Sequence, residues 1–233
     1  MITEKTEGVE MMVRVTRQGY IEELELLQQK VTEMGQAVDV ALGLAMQALL
    51  GMDKELAEKV MKEDDIIDEM TIGIEDRCML LIAKQQPIAR DLRVIATGFK
   101  ISTDLERIGD HAYDIAKTVL ELEGVPFVKK LIDIPKMAES ARRMTALAIR
   151  AYQTADLKLA EEVCQMDDEI DLLFARTFHE LSQFVGDDAV KVKQATQLIF
   201  VARYIERIGD HATNIAEWVI YLETAERIRK PEK

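Results

Sequence analysis

The sequence predicts an all-α protein built as a tandem repeat of two three-helix bundles, six long helices in all. Three observations carry that prediction. Leu, Met, Ala, Glu and Lys are plentiful in a chain with only 4 Pro, 11 Gly and 5% aromatic residues, a composition of helix formers. Apolar residues recur in steps of three and four over long stretches. The stretch Glu106-Arg107-Ile108-Gly109-Asp110-His111-Ala112 returns at an offset of 100 as Glu206-Arg207-Ile208-Gly209-Asp210-His211-Ala212.

Residues 1–19 contain Gly8 and Gly19 and no sustained period, and are expected as a loose arm. From Leu24 a seam runs through Leu27, Val31, Met34, Val38, Ala41, Ala45, Ala48 and Met52, which predicts one long helix with a single packing face. Its alanines let a neighbouring helix come close. Gly51-Met52-Asp53 interrupts the run, and Asp53 is suited to cap a second helix over about 54–84. Gln85-Gln86-Pro87 ends that helix, because proline starts helices well and continues them badly. A third helix follows over about 88–122.

Glu123-Gly124-Val125-Pro126 is the clearest boundary. Beyond it the seam restarts as Ile134, Met137, Ala141, Met144, Ala148, Ala151 and Ala155. A shift of 103 lays Met34 on Met137, Asp53 on Asp156, and Asp64-Asp65-Ile66-Ile67-Asp68 on Asp167-Asp168-Glu169-Ile170-Asp171. The fall to 100 at the repeated motif means three residues lost near Gly186-Asp187. The chain therefore reads as two units, 20–123 and 127–223, with a tail at 224–233 and breaks near 52, 86, 124, 156 and 187.

At 233 residues the chain can bury a sizeable core. Its net charge of −13 argues against nucleic acid, which wants a basic surface. No apolar run is expected to reach membrane-spanning length, and Met1-Ile2-Thr3-Glu4-Lys5 lacks the regions of a signal peptide. Cys78 and Cys164 form no CxxC and read as small apolar fillers in a reducing cytosol.

The repeated motif places Glu and Asp four residues apart on one helix face, where like charges cost a few tenths of a kcal/mol. A pair written twice suggests that something offsets it, and either a basic side chain or a bound cation could do so. With the first hairpin turning near 86, Asp64 and Asp68 lie 22 and 18 residues before the turn, and Glu106 and Asp110 lie 20 and 24 after it. At about 1.5 Å per residue, all four sit roughly 30 Å from the turn. In the second hairpin, Asp167 and Asp171 stand level with Glu206 and Asp210 in the same way. Asp114 extends the first row by a turn, and Asn214 takes that place in the second.

Four carboxylates this close stay ionised only if cations neutralise them. Oxygen ligands suit magnesium, manganese or calcium, and bridging carboxylates hold iron or zinc. The alternative is a solvated face in which Arg107 pairs with Asp110 and Arg207 with Asp210. The histidines do not point to a di-iron oxidase, which needs Glu-x-x-His. Ile108, Arg176 and Ile208 stand three residues before His111, His179 and His211. The order Asp110-His111 is also the reverse of a His-Asp phosphohydrolase dipeptide. His111 and His211 fall about 100° from the acids beside them, which suits packing or surface exposure better than ligation.

The doubled motif, preceded by Gln86-Pro87-Ile88-Ala89-Arg90-Asp91-Leu92-Arg93 in the first half and by Ala202-Arg203-Tyr204-Ile205 in the second, resembles the PhoU phosphate-uptake regulators. The likeness covers about residues 20–222. It implies two three-helix bundles whose E/D-x-x-x-D motifs hold metal clusters. The motif positions fall on Asp64, Asp68, Glu106 and Asp110, and on Asp167, Asp171, Glu206 and Asp210. With Asp114 and Asn214 these are the candidate metal ligands, for divalent or trivalent iron, zinc, manganese or magnesium. The resemblance also implies a cytoplasmic negative regulator with no enzymatic reaction. It would link the ATPase subunit of the phosphate ABC transporter to a sensor histidine kinase, recruited to the membrane by protein partners without inserting, and compatible with a homodimer. The other readings the sequence allows are a metal-dependent hydrolase and a metal-free structural bundle.

Overall fold

The computed structural model describes residues 2–85, 87–122, 126–184, 186 and 188–227, with side chains from residue 18 onward apart from that of residue 85. Six helices account for nearly all of them: α1 (Ile2–Gly51), α2 (Lys54–Gln85), α3 (Ala89–Glu121), α4 (Asp133–Thr154), α5 (Leu157–Ser182) and α6 (Ala189–Thr224). No strand occurs among the described residues. The expected breaks fall between these helices, those near 86, 124 and 187 on residues outside the description. The tail expected from 224 is described only to residue 227.

Two expectations are corrected in α1. The residues expected as a loose arm continue the helix back to Ile2. Nothing in 2–19 stops a helix, since there is no proline, and an interior glycine costs only about 1 kcal/mol. In addition, the segment Gln18–Gly51 is long and apolar enough to cross a membrane by length and composition. Asp39 is the last charged residue before Gly51, and from Met34 onward it is the only one, which leaves a long run of weakly polar residues. However, Leu27, Val31, Met34, Val38, Ala45 and Ala48 are fully buried, and α1 packs on α2, α3 and α4. It is the core helix of the first unit.

The seam residues Met137, Ala141, Met144, Ala148 and Ala151 are buried equally deeply in α4. Within each unit all three helices touch, and the units join through α3 on α6 and α1 on α4. Both joints are antiparallel. Along the first, Arg90 meets Glu223 and Asp104 meets His211. Along the second, Gln28 donates to the Tyr152 carbonyl at 2.9 Å, and Arg142 clamps Asp39 in two bonds of 2.8 and 2.9 Å. Antiparallel contact between repeat-related helices relates the units by an approximate two-fold axis. His111 and His211, equivalent in the repeat, lie 5.9 Å apart near that axis. Asp39 and Arg142, equivalent at the offset of 103, mark it on the other joint.

The turn that opens each hairpin unit is also duplicated. Met52 and Ala155 adopt left-handed backbone, with φ of 51° and 52°. Asp53 and Asp156 follow, their backbone N–H groups reaching the carbonyls of Ala48 and Ala151 at 2.9 and 3.1 Å. Their carboxylates cap the next helix by accepting from the backbone of Leu56, and of Lys158 and Leu159. A left-handed residue with a β-carbon is strained by roughly 1–2 kcal/mol, a cost glycine escapes while losing more entropy. Met52→Gly and Ala155→Gly should each raise stability by about 0.5–1 kcal/mol. Urea denaturation should show higher midpoints with an unchanged slope.

Candidate metal centre

Glycine in the middle of a helix weakens it, and in each repeated motif it has a packing reason. A β-carbon on Gly109 would lie 3.1 Å from Ile67 Cδ1, and one on Gly209 would lie 3.0 Å from Ile170 Cδ1. Removing that carbon lets α2 settle on α3 and α5 on α6. One turn from each isoleucine, Asp64 Oδ1 and Asp167 Oδ1 come within 3.7 and 3.5 Å of the same missing carbons. The acids of the two helices are thereby drawn to one level in each hairpin.

Their electrostatics follow from that approach. Burial raises the Asp64 carboxyl to about 6, helped by the charges of Asp68, Asp110, Asp65 and Glu106. Glu106 is raised by burial and by Asp110 and Asp68, with Arg107 opposing. In the second hairpin, burial raises Glu206, and Asp210, Asp171 and Asp167 add to it while Arg203 opposes. Each hairpin thus brings its four predicted acids within mutual reach. Asp167 and Glu206 are buried, whereas Asp68 is exposed and Glu106 half-buried.

Basic side chains offset part of this repulsion. Arg107 donates to Asp110 at 2.9 Å, the i,i+3 pair expected from the sequence. In the second unit the pair seen is Arg203 with Glu206 at 2.6 Å, in place of the Arg207–Asp210 pair expected there. Glu206 Oε2 stays buried with no hydrogen-bond partner. Among the described residues, no three Asp, Glu, His or Cys side chains already converge on one point as a metal's ligand set.

Asp114 and Asn214 stand where their rows reach the joint between units, and Asp114 is raised by burial first and then by the charge of Asp110. From Glu106 to Asp114 the helix accumulates about 80° of rotation beyond two full turns, enough to aim Asp114 at the joint between units. There its Oδ2 is 3.7 Å from His111 Nδ1, and Tyr204 is raised by burial first and then by the Asp114 charge. Asn214 donates to Asp104 Oδ1 at 3.2 Å, beside His211 Nδ1 at 2.9 Å from the same oxygen. His111 stacks on Tyr204 at 5.7 Å. Burial first, then Arg207, His211 and Arg107, lower it to about 4 and keep it neutral. Both motif histidines are therefore packing residues of the α3–α6 joint. Periodicity within one unit carries no signal for this joint, but the repeat-related pairs at an offset of 100 do.

The elevated Asp64 fixes the sign of a pH effect. A carboxyl raised from 3.8 to about 6 on folding gives stability that is complete below the unfolded value and lost as pH rises through the folded one. Asp64→Asn in metal-free buffer should therefore stabilise the protein at pH 8, on the order of 1 kcal/mol after solvent screening. The gain should shrink toward pH 5. Urea titrations at the two pH values measure the difference.

Comparison with known proteins agrees with this architecture throughout. The PhoU domain family model matches residues 31–119 and 134–219, one match in each unit. A phosphate-specific transport system accessory protein PhoU homolog of Clostridium acetobutylicum is 42% identical over 215 residues, covering 92% of this chain and 98% of the relative. The homolog of Aquifex aeolicus is 40% identical over 207 residues, covering 89% and 94%. The crystal structure of PhoU from Pseudomonas aeruginosa superposes with a TM-score of 0.85 at 33% identity, over 89% of this chain and all of that one, 100%. That of the phosphate transport system regulatory protein PhoU from Streptococcus pneumoniae gives 0.83 at 29% identity, over 91% and 100%. With both units matched in sequence and in fold, the chain belongs to the PhoU family.

Proposed function

We propose that this chain is a negative regulator of phosphate uptake and of the phosphate-starvation response, acting as a non-enzymatic cytoplasmic adaptor. It connects the ATPase subunit of the phosphate-specific ABC transporter to a sensor histidine kinase and restrains the response when phosphate is plentiful. The observation that carries this reading is the match of both units to relatives named as accessory or regulatory proteins of phosphate transport. One face of the apolar stretch of α1 is buried in the bundle, and recruitment to the membrane is assigned to protein contacts. Long helices packed on two joints offer rigid faces for such contacts.

The carboxylate clusters form part of the same reading. Their donors are oxygens alone, the set that suits hard divalent ions and bridged iron or zinc. The unpartnered Glu206 Oε2 and the raised carboxylates fit a cation that would supply the missing partner. Asp64, Asp68, Glu106 and Asp110 would hold it in the first unit, and Asp167, Asp171, Glu206 and Asp210 in the second. Asp114 and Asn214, turned to the joint, would support the motif helices from behind. A bound ion would neutralise each cluster and tie α2 to α3 and α5 to α6.

Glu206→Ala with Asp210→Ala should abolish metal uptake by the second cluster while relieving like-charge strain, so the fold should persist. Cells carrying this double change in place of the wild-type protein should express phosphate-starvation genes even in high phosphate. Normal repression, with metal loss and normal protein levels confirmed, would separate the clusters from the regulatory role. Failure of the wild-type chain to capture either the transporter ATPase or the kinase from cells would overturn the adaptor reading itself.

A further inference from the structure

The two clusters differ in the cation each already holds. Arg203, one turn before Glu206 on α6, donates to Glu206 Oε1 at 2.6 Å. Its guanidinium also lies over the Phe174 ring of α5, 5.7 Å from the centroid. The side chain is thus fixed on two sides, by a buried carboxylate and by an aromatic face. The equivalent residue in the first unit is Thr103, whose hydroxyl is engaged with the Phe99 carbonyl at 3.1 Å. There Glu106 has Arg107 Nε at 3.3 Å; the two arginines are about equally exposed, but the Glu106 side chain is 23% exposed against 11% for Glu206.

We propose that Arg203 is a resident counter-ion of the second cluster that competes with a divalent cation for Glu206, so that the first cluster takes up metal ahead of the second. The inference rests on the metal reading of the clusters. A guanidinium is permanently charged, and its short bond to a buried carboxylate is strong. A dication entering beside it meets repulsion at close range, and displacing it breaks both the ion pair and the ring contact. Release of Arg203 also uncovers Phe174, whose neighbour Phe178 is 6.3 Å away and already about half exposed. Loading of the second cluster would thereby enlarge an aromatic patch on α5.

The test is Mn²⁺ binding to the full chain at pH 8, followed by the electron paramagnetic resonance of free Mn²⁺. Glu106→Gln/Asp110→Asn isolates the second cluster, and Glu206→Gln/Asp210→Asn isolates the first. The first cluster should bind Mn²⁺ about tenfold more tightly than the second. Adding Arg203→Met to the isolated second cluster should recover about that factor. Thr103→Arg, which installs the counter-ion in the isolated first cluster, should weaken it, and serves if the Arg203 variant does not fold. Second-cluster affinity unchanged or lowered by Arg203→Met, in a protein of wild-type helicity, overturns the proposal. Equal affinities in the two isolated clusters do the same. Mn²⁺ binding by the first cluster would leave the metal reading standing in either case, whereas no binding by either cluster, with or without Arg203, overturns both.

Discussion

The close approach of two isoleucines to two glycines is the constraint on which the rest of the molecule turns. Ile67 on Gly109 and Ile170 on Gly209 set how near α2 lies to α3 and α5 to α6. That distance decides whether acids on facing helices ignore one another or interact. At the distance seen, burial raises the cost of charging these acids, and the like charges that share each hairpin add to it. The apolar contact stabilises the pairing, and the acids store part of that gain as electrostatic strain. The repeated glycine is thus as much a part of the cluster as the carboxylates themselves.

Helix positions apart from the start of α1, the duplication and the levels of the motif acids were legible in the sequence, because each depends on spacing within one unit. Leu27, Val31, Met34 and their partners Met137 and Ala141 reveal themselves by period alone. The start of α1 was not legible, since a stretch lacking an apolar stripe can still be helical when nothing terminates it. Spacing did not show that Asp114 and Asn214 also reach the joint between units, because rotational drift over two turns moves a residue round the helix. The Asp104–His211–Asn214 cluster and the His111–Tyr204 stack were hidden for another reason. They join residues that meet only once the antiparallel docking of the two units is known. Arg203 could have been flagged as a departure from the repeat, since Thr103 stands at its equivalent.

Departures from the repeat, in general, carry more information here than the repeat does. The duplicated residues define two similar hairpins. The substituted ones make the hairpins unequal. Tyr204 replaces Asp104, Asn214 replaces Asp114, and Arg203 replaces Thr103. These exchanges put an aromatic stack on one side of the axis of the α3–α6 joint and a hydrogen-bonded histidine on the other. A partner approaching from the two sides therefore meets different surfaces on what is nearly the same backbone.

The Asp39–Arg142 clamp carries a consequence for how the halves recognise each other. Two separate copies of one unit, docked about a true two-fold axis, would bring each axial residue against itself. Aspartate would face aspartate, or arginine would face arginine, and neither pairing is favourable. Opposite charges on the axis are available only to two halves that are no longer identical. The clamp therefore acts as a polarity code. It rewards the first half for closing on the second and penalises either half for closing on another of its own kind.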